Sequence, residues 1–341
     1  MAPPLRWAEY AAGVAVGAVG GSGGGGGGSS SLRRRRLLLT TAAALLAGAV
    51  VLVLLAGPYT DATVAAAAGH PRGAAAATTA GWTQAGLDPA PPLPALAGLT
   101  HLIMVACHAV FLGHEYRSAP AEIYNESHWI LESYQGGQVR YFVEHIAEGL
   151  ERAAQDPAAL LVFSGGQTRP RAGPRTEAQS YWEVAALLGW APGRSAQEAA
   201  DVAARATTEE FARDSLENLL FSLCRFHEVT GRYPERVTVI SFPHKRERFE
   251  QVHRHAAAFP AERFEFVGIG PPPPDSAVAF EHALVHEQFS KDPYACQGPL
   301  REKRLNRNPQ RRTPPYAASC PALRGLLSYC GPGYYTGRLP W

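Results

Sequence analysis

The chain lacks the usual signatures of nucleotide, metal and hydrolase sites. No CxxC pair occurs among its five cysteines, Cys107, Cys224, Cys296, Cys320 and Cys330, which argues against a zinc site. Apart from matches that overlap the polyglycine run Gly23–Gly28 there is no GxGxxG dinucleotide fingerprint, and there is no GxxxxGK[ST] phosphate loop anywhere, which argues against the two standard glycine-rich phosphate cradles. No HExxH is present, and GxSxG occurs only as Gly20-Gly21-Ser22-Gly23-Gly24 at the edge of the polyglycine tract, not after a strand, which argues against a zinc-protease helix and a nucleophile elbow. A formal net charge of +2 gives no case for a nucleic-acid partner. No internal repeat is visible, so a solenoid is not expected.

What is present begins with an apolar run. Leu37 to Gly57, LLLTTAAALLAGAVVLVLLAG, carries no charge across 21 residues, which as a helix spans about 30 Å, the hydrocarbon thickness of a bilayer. Arg33–Arg36 precede it and favour a cytosolic N-terminus. The expectation is a single-pass type II anchor in the lipid bilayer of the endomembrane system (endoplasmic reticulum or Golgi), with the C-terminal part luminal. A cleaved signal peptide and a mitochondrial presequence are the alternatives, set against the run's length and its lack of amphipathicity. Residues 1–36 hold a polyglycine tract and read as a disordered basic tail. Residues 58–98 read as a flexible Ala/Gly/Pro stalk.

The 341 residues, 46% hydrophobic, leave room for a sizeable core beyond residue 98. Strands are expected at Leu102–Ala106, Leu160–Phe163, Val237–Ser241 and Phe264–Ile269. Helices are expected over Gln138–Ala154, Glu177–Gly189, from Thr207 to about Gly231, and over Lys245–Ala258. Two capping boxes support the starts, Thr176 with Gln179 and Thr207 with Glu210. Residues 190–206 read as a loop or a short helix. Strands alternating with helices predict an α/β domain over 99–290, a Rossmann-like parallel sheet with helices on both faces, preceded by one transmembrane helix. The tail, 291–341, is expected to wrap the domain with little regular structure. Cys296, Cys320 and Cys330 are candidates for one disulfide, or the thiols are free.

Ligands of such sheets sit beyond the carboxyl ends of the strands. That nominates Ser164, Gly165 and Gly166 after the second strand, where glycine permits a tight turn or a close ligand approach. Arg169, Arg171 and Arg175 follow, ahead of a helix start suited to a phosphate or carboxylate. Glu177 in that first helical turn also suits the helix dipole, which would account for it without chemistry. Asp214 and Asn218 share a helix face. His244, Lys245, Arg246 and Arg248 form a basic cluster after the third strand and imply an anionic ligand.

The order Ser164-Gly165-Gly166, Thr176-Glu177-Ala178, Asp214-Ser215-Leu216-Glu217-Asn218, then Ser241 to Phe249, resembles the domain of unknown function 218 family (YdcF, SanA and ElyC type proteins). Lys245 stands where those proteins have histidine. The tail from Asp292-Pro293-Tyr294 to Arg307-Asn308-Pro309 is similar to that of fungal members. The resemblance implies a Rossmann-like domain behind a membrane segment, with a nucleotide-like or S-adenosylmethionine ligand suggested for one branch and no settled reaction. The site expected on all these grounds comprises Ser164, Gly165, Gly166, Glu177, Asn218, Lys245 and Arg248, binding an anionic small molecule, with Glu177 or Asp214 as base. The alternative is a noncatalytic structural or interaction domain in which the same residues serve turns and caps.

Overall fold

The computed structural model describes residues 93–113 and 120–341. The basic tail, the apolar run Leu37–Gly57 and all but the end of the stalk lie outside these residues. Among the described residues, no helix is long and apolar enough to cross a membrane.

Strands β1 (His101–Ala106), β4 (Ala159–Ser164), β5 (Ala206–Glu209), β6 (Arg236–Ser241) and β7 (Phe264–Gly268) form a parallel sheet in the order β5-β4-β1-β6-β7. Strands β2 (Val110–Phe111) and β3 (Trp129–Ile130) form a small antiparallel pair beside it. The chain builds outward from β1 through β4 to β5, then crosses back to place β6 on the other side of β1. The switch point of the doubly wound sheet therefore lies between β1 and β6, where ligands of this architecture gather.

The alternation of strand side chains sorts the core into two layers. Leu102, Met104 and Ala106 of β1 join Leu160 and Val162 of β4 on one face. There they meet Leu216, Leu219, Leu223 and Phe226 of the helix Ser215–Thr230. Ile103, Val105, Leu161 and Phe163 point to the opposite face. They pack on Phe142 and Ile146 of α1 (Val139–Gln155) and on Tyr181 and Val184 of α2 (Glu177–Leu187). Because both faces are covered, β1 from Leu102 to Ala106 and β4 from Ala159 to Phe163 are apolar rather than alternating with polar residues.

Three local expectations need correction, while the short helix allowed for in 190–206 is present. The spacing of Thr207 and Glu210 suggests a helix start, yet residues 206–209 form β5, in register with Leu161–Ser164. Pairing with a buried strand outweighs a two-residue capping pattern. The helix starts at Ser215 instead, its first turn closed by Asp214 Oδ1, which accepts from the Glu217 amide at 2.9 Å. Residues Ala196–Ala204 form α3 behind their own capping box, Ser195 with Glu198, and the helix Ser215–Thr230 is α4. The segment after β6 is helical, but it enters through a 3₁₀ turn at Pro243–Lys245 and passes through a π turn at Arg248–His253. Finally, packing reaches back before Leu99: Leu96 lies in the core, and the Leu93 amide donates to Val229 O at 3.2 Å.

The tail is more ordered than expected. After α5 (Asp275–Ala283) the chain forms α6 (Gly298–Asn306). Tyr316, Cys320, Leu323 and Leu326 then insert into the α4-side core layer. Two disulfides hold it, Cys224–Cys320 and Cys296–Cys330. The expected trio of cysteines is thus short by one. Cys224, buried on α4, is the partner of Cys320 across 96 residues of sequence, and Cys107 is the free thiol.

Candidate functional site

A cleft opens at the switch point, beyond the carboxyl ends of β1 and β6. The space open to water centres is about 110 Å³, several times what a single water needs (roughly 10–15 Å³ by the same measure). Cys107 and His108 enter from β1. Phe242, His244, Lys245 and Arg248 enter from β6. Ser215 and Asn218 come from the start of α4, and Lys303 and Arg307 from the tail. Basic lining residues outnumber acidic ones, with Arg169, Arg213, Lys245, Arg248, Lys303 and Arg307 against Glu177, Asp214 and Glu281.

Most of these charges are engaged with one another. Arg248 forks onto the Glu281 carboxylate from α5, with Nε donating to Oε2 at 3.0 Å and Nη2 to Oε1. Its third donor reaches Ser215 Oγ at 3.2 Å. Ser215 Oγ in turn is hydrogen-bonded to His253 Nε2 at 2.7 Å. Such a bidentate pair is both strong and geometrically fixed. Asp214, besides capping α4, accepts from Arg304 Nε at 2.8 Å. Burial pushes its carboxyl up, but Arg304 and the Glu217 amide overcome this and hold it well below the usual carboxylate range. A carboxylate held this firmly ionised is a poor proton acceptor. Arg169 bridges Glu132 and Glu177, and its Nη2 donates to the His108 carbonyl at 2.6 Å.

Lys245 differs from its neighbours. Part of its surface opens to the cleft, yet its ammonium lies deep among protein atoms. Its Nζ is 3.2 Å from His108 Nδ1, and His108 Nε2 is 3.3 Å from Ser241 Oγ. Burial, then the nearby Arg248, hold the amine well below the usual lysine range; Glu281 opposes this in part. The surrounding histidines are also kept neutral. Burial first, then Lys245, push His108 well below its ordinary value. The same two causes, joined by Arg248, bring His244 to about 3. His145, 5.5 Å from the His108 ring, falls to about 4, chiefly through burial. In the tautomer whose Nδ1 accepts from Lys245, the His108 Nε2–H points at Ser241 Oγ. Cys107 also lines the cleft, but burial pushes its thiol well up and keeps it protonated.

The expected Gly-Gly site stands apart from this cleft. Gly165 and Gly166 already donate their amides, to Glu209 O at 3.0 Å and Ala212 O at 2.8 Å. The first amides of α2 are also engaged: Glu177 N donates to Gly166 O at 3.1 Å and Ala178 N to Gly165 O at 3.0 Å. Glycine is required here by close packing. A Cβ on Gly166 would come within 2.7 Å of Ala212 O, and one on Gly165 within 2.9 Å of the Glu177 Cβ. Ser164 is fully buried, donating to Glu209 Oε2 at 2.8 Å and Asn218 Oδ1 at 3.2 Å. Arg171 and Arg175 bond the Leu131 and Phe111 carbonyls. Of the expected residues, the cleft gathers Glu177, Asp214, Asn218, Lys245 and Arg248, while Ser164, Gly165 and Gly166 lie behind it.

Sequence reading missed His108, Ser215 as a lining group, and Lys303 and Arg307. His108 ends the motif-free run HLIMVACH after β1, where only its place beyond a strand would have marked it. The tail residues sit 58 and more positions from Lys245 in sequence, and nothing local in the basic stretch Arg301–Arg312 indicates which side chains face inward.

Comparison with curated proteins finds the uncharacterized protein YOR238W of Saccharomyces cerevisiae, 29% identical over 260 residues, which span 63% of this chain and 86% of the yeast protein. No protein-family model matches the chain. No solved structure matches it.

Proposed function

We propose that the domain binds an anionic small molecule in the cleft between β1 and β6, of the nucleotide-like or phosphorylated-metabolite kind. The observation that carries this reading is the surplus of basic over acidic lining residues at the sheet's switch point. Opposite charge in a narrow cleft with low-dielectric walls attracts an anion more strongly than the same charges would on an open surface. The resemblance to the domain of unknown function 218 family supports it through the order of the strand-end motifs. Asn218, whose Oδ1 accepts from Ser164, and Glu177 would meet the polar, uncharged part of such a ligand.

The same proposal places the domain behind a single-pass anchor at Leu37–Gly57, on the luminal side of an endomembrane. Two disulfides support that side, since such bonds persist in oxidising compartments.

Thermal unfolding of the full-length protein in detergent, against nucleotides, sugar phosphates, S-adenosylmethionine and inorganic phosphate, tests the binding. A ligand at a hundred times its Kd stabilises by about 2.7 kcal/mol, a readily measured rise in midpoint. Lys303→Glu with Arg307→Glu should abolish that rise. A panel with no shift at millimolar ligand rejects the reading. Protease added to intact microsomes should spare the domain; its rapid digestion would reverse the orientation.

A further inference from the structure

The chain has 32 basic residues, and three of them are lysines: Lys245, Lys291 and Lys303. Two of the three, Lys245 and Lys303, line the cleft, and Lys291 is exposed on the surface. At every other basic position the chain uses arginine. For holding an anion by charge, arginine would serve at least as well, because its planar fork matches carboxylate and phosphate. Lysine offers what arginine does not: an amine that can lose its proton and attack an electrophile.

The surroundings of Lys245 fit that use. From the segment after β1, His108 presents Nδ1 to the amine at 3.2 Å, and the ring is fixed on its other side by Ser241 at 3.3 Å. From the segment after β6 come His244 and Arg248, from α6 comes Lys303, and from the residue capping its C-terminal end comes Arg307. Glu281 of α5 is the acid facing Lys245, and its carboxylate is already forked onto Arg248. The Phe242 ring lies 5.7 Å from Nζ. A lysine packed among cations, without a carboxylate of its own, is the arrangement that favours the neutral, nucleophilic amine.

We propose that Lys245 is a nucleophilic amine that forms an imine with an anionic carbonyl compound, an aldehyde or ketone carrying a carboxylate or phosphate held by the α6 wall. The proposal rests on the anion-binding reading of the cleft and adds the substrate class. In the step, the Nζ lone pair bonds the carbonyl carbon while the C=O π pair moves onto oxygen. His108 Nδ1 takes a proton from nitrogen and returns it to that oxygen. The carbinolamine then loses its oxygen as water as the C=N bond forms. One amine and one carbonyl give one imine and one water, and no redox partner is needed. Lys245 is the catalytic residue in this step, and Ser241 positions the His108 ring.

Glyoxylate, a small anionic aldehyde, is the probe. The full-length protein in detergent is incubated with glyoxylate and sodium cyanoborohydride at pH 7, and the three lysines are compared by peptide mass mapping. An amine held neutral by its surroundings is the reactive form, so the Lys245 adduct should predominate over that at exposed Lys291. Inorganic phosphate should suppress labelling at Lys245 and leave Lys291 unchanged. Lys245→Arg, which has no amine able to form an imine, should lose the adduct. Equal labelling of the three lysines, or predominance of Lys291, overturns the imine. If phosphate shifts the midpoint but Lys245 is not labelled, the imine falls and the anion site stands. If phosphate neither shifts the midpoint nor competes with labelling, the anionic substrate class falls.

Discussion

The carboxyl ends of β4 and β6 look alike in sequence: each runs from a buried strand into a short turn followed by several arginines. In the fold they are opposites. At β4, the Gly165 and Gly166 amides, the first amides of α2 and the Ser164 hydroxyl all have partners within the protein. At β6, the backbone turns away through a 3₁₀ turn, and Lys245 is left against neutral His108 at the edge of a cleft. Glycines and arginines beyond a strand therefore mark a place where the chain must be tightly closed as readily as one where a ligand enters. What separates the two is whether the donors are already used.

That contrast can be broken by substitution. The largest effect should come from Arg248→Ala, which lies in the cleft but belongs with the closed set, because it strands the buried Glu281 carboxylate. Removing one partner of a buried ion pair costs about 3–5 kcal/mol, to be read as a fall in the denaturant midpoint. A change confined to ligand binding would move Arg248 back among the ligand contacts. Replacing Cys224 and Cys320 together by alanine should cost about 2–4 kcal/mol and loosen the tail that carries Lys303 and Arg307. Both unfolding and phosphate binding would report it, and a loss of neither would show that the tail's packed side chains suffice.

Gly166→Ala comes next. Its new Cβ would meet the Ala212 carbonyl at 2.7 Å, and backbone cannot move aside as a side chain can. The expected loss is about 1–3 kcal/mol, with ligand affinity unchanged in the protein that remains folded. Weakened binding at unaltered stability would restore the Gly-Gly turn as a ligand site.

The smallest effect concerns pH. Glu209 is fully buried between Ser164, Tyr316 and the Phe211 amide. Burial raises its carboxyl from 4.5 to about 7, although those hydrogen bonds oppose the rise. Between these values the folded protein keeps a proton that the unfolded chain has lost. Stability from this group is complete below 4.5 and declines as pH rises towards 7. Glu209→Gln stays neutral throughout and should flatten the stability profile over that window. An identical slope in both proteins would mean that Glu209 is ionised in the fold.

Much of this was legible from residue order. The apolar runs Leu102–Ala106 and Leu160–Phe163 marked strands, and Thr176 with Gln179 marked the start of α2. Lys245 was nominated because function in this architecture gathers at strand ends and Asn218 because it shares a helix face with Asp214; both line the cleft. The failures were all non-local. Thr207 and Glu210 mimic a cap, yet pairing with β4 decides that segment. Arg248 reads as a free cation until α5 brings Glu281 to it, and Asp214 reads as a base until Arg304 arrives from 90 residues away.

By itself the sequence determined the alternation of strands and helices, the parallel sheet they imply and the strand ends where side chains could gather, because periodicity and capping are local properties of the chain. Which of those side chains remained available was decided only by tertiary structure. A hydrogen bond or ion pair depends on where its partner lies in space, and in this protein the deciding partners, Glu209, Glu281, Arg304 and Cys320, come from other elements of the fold.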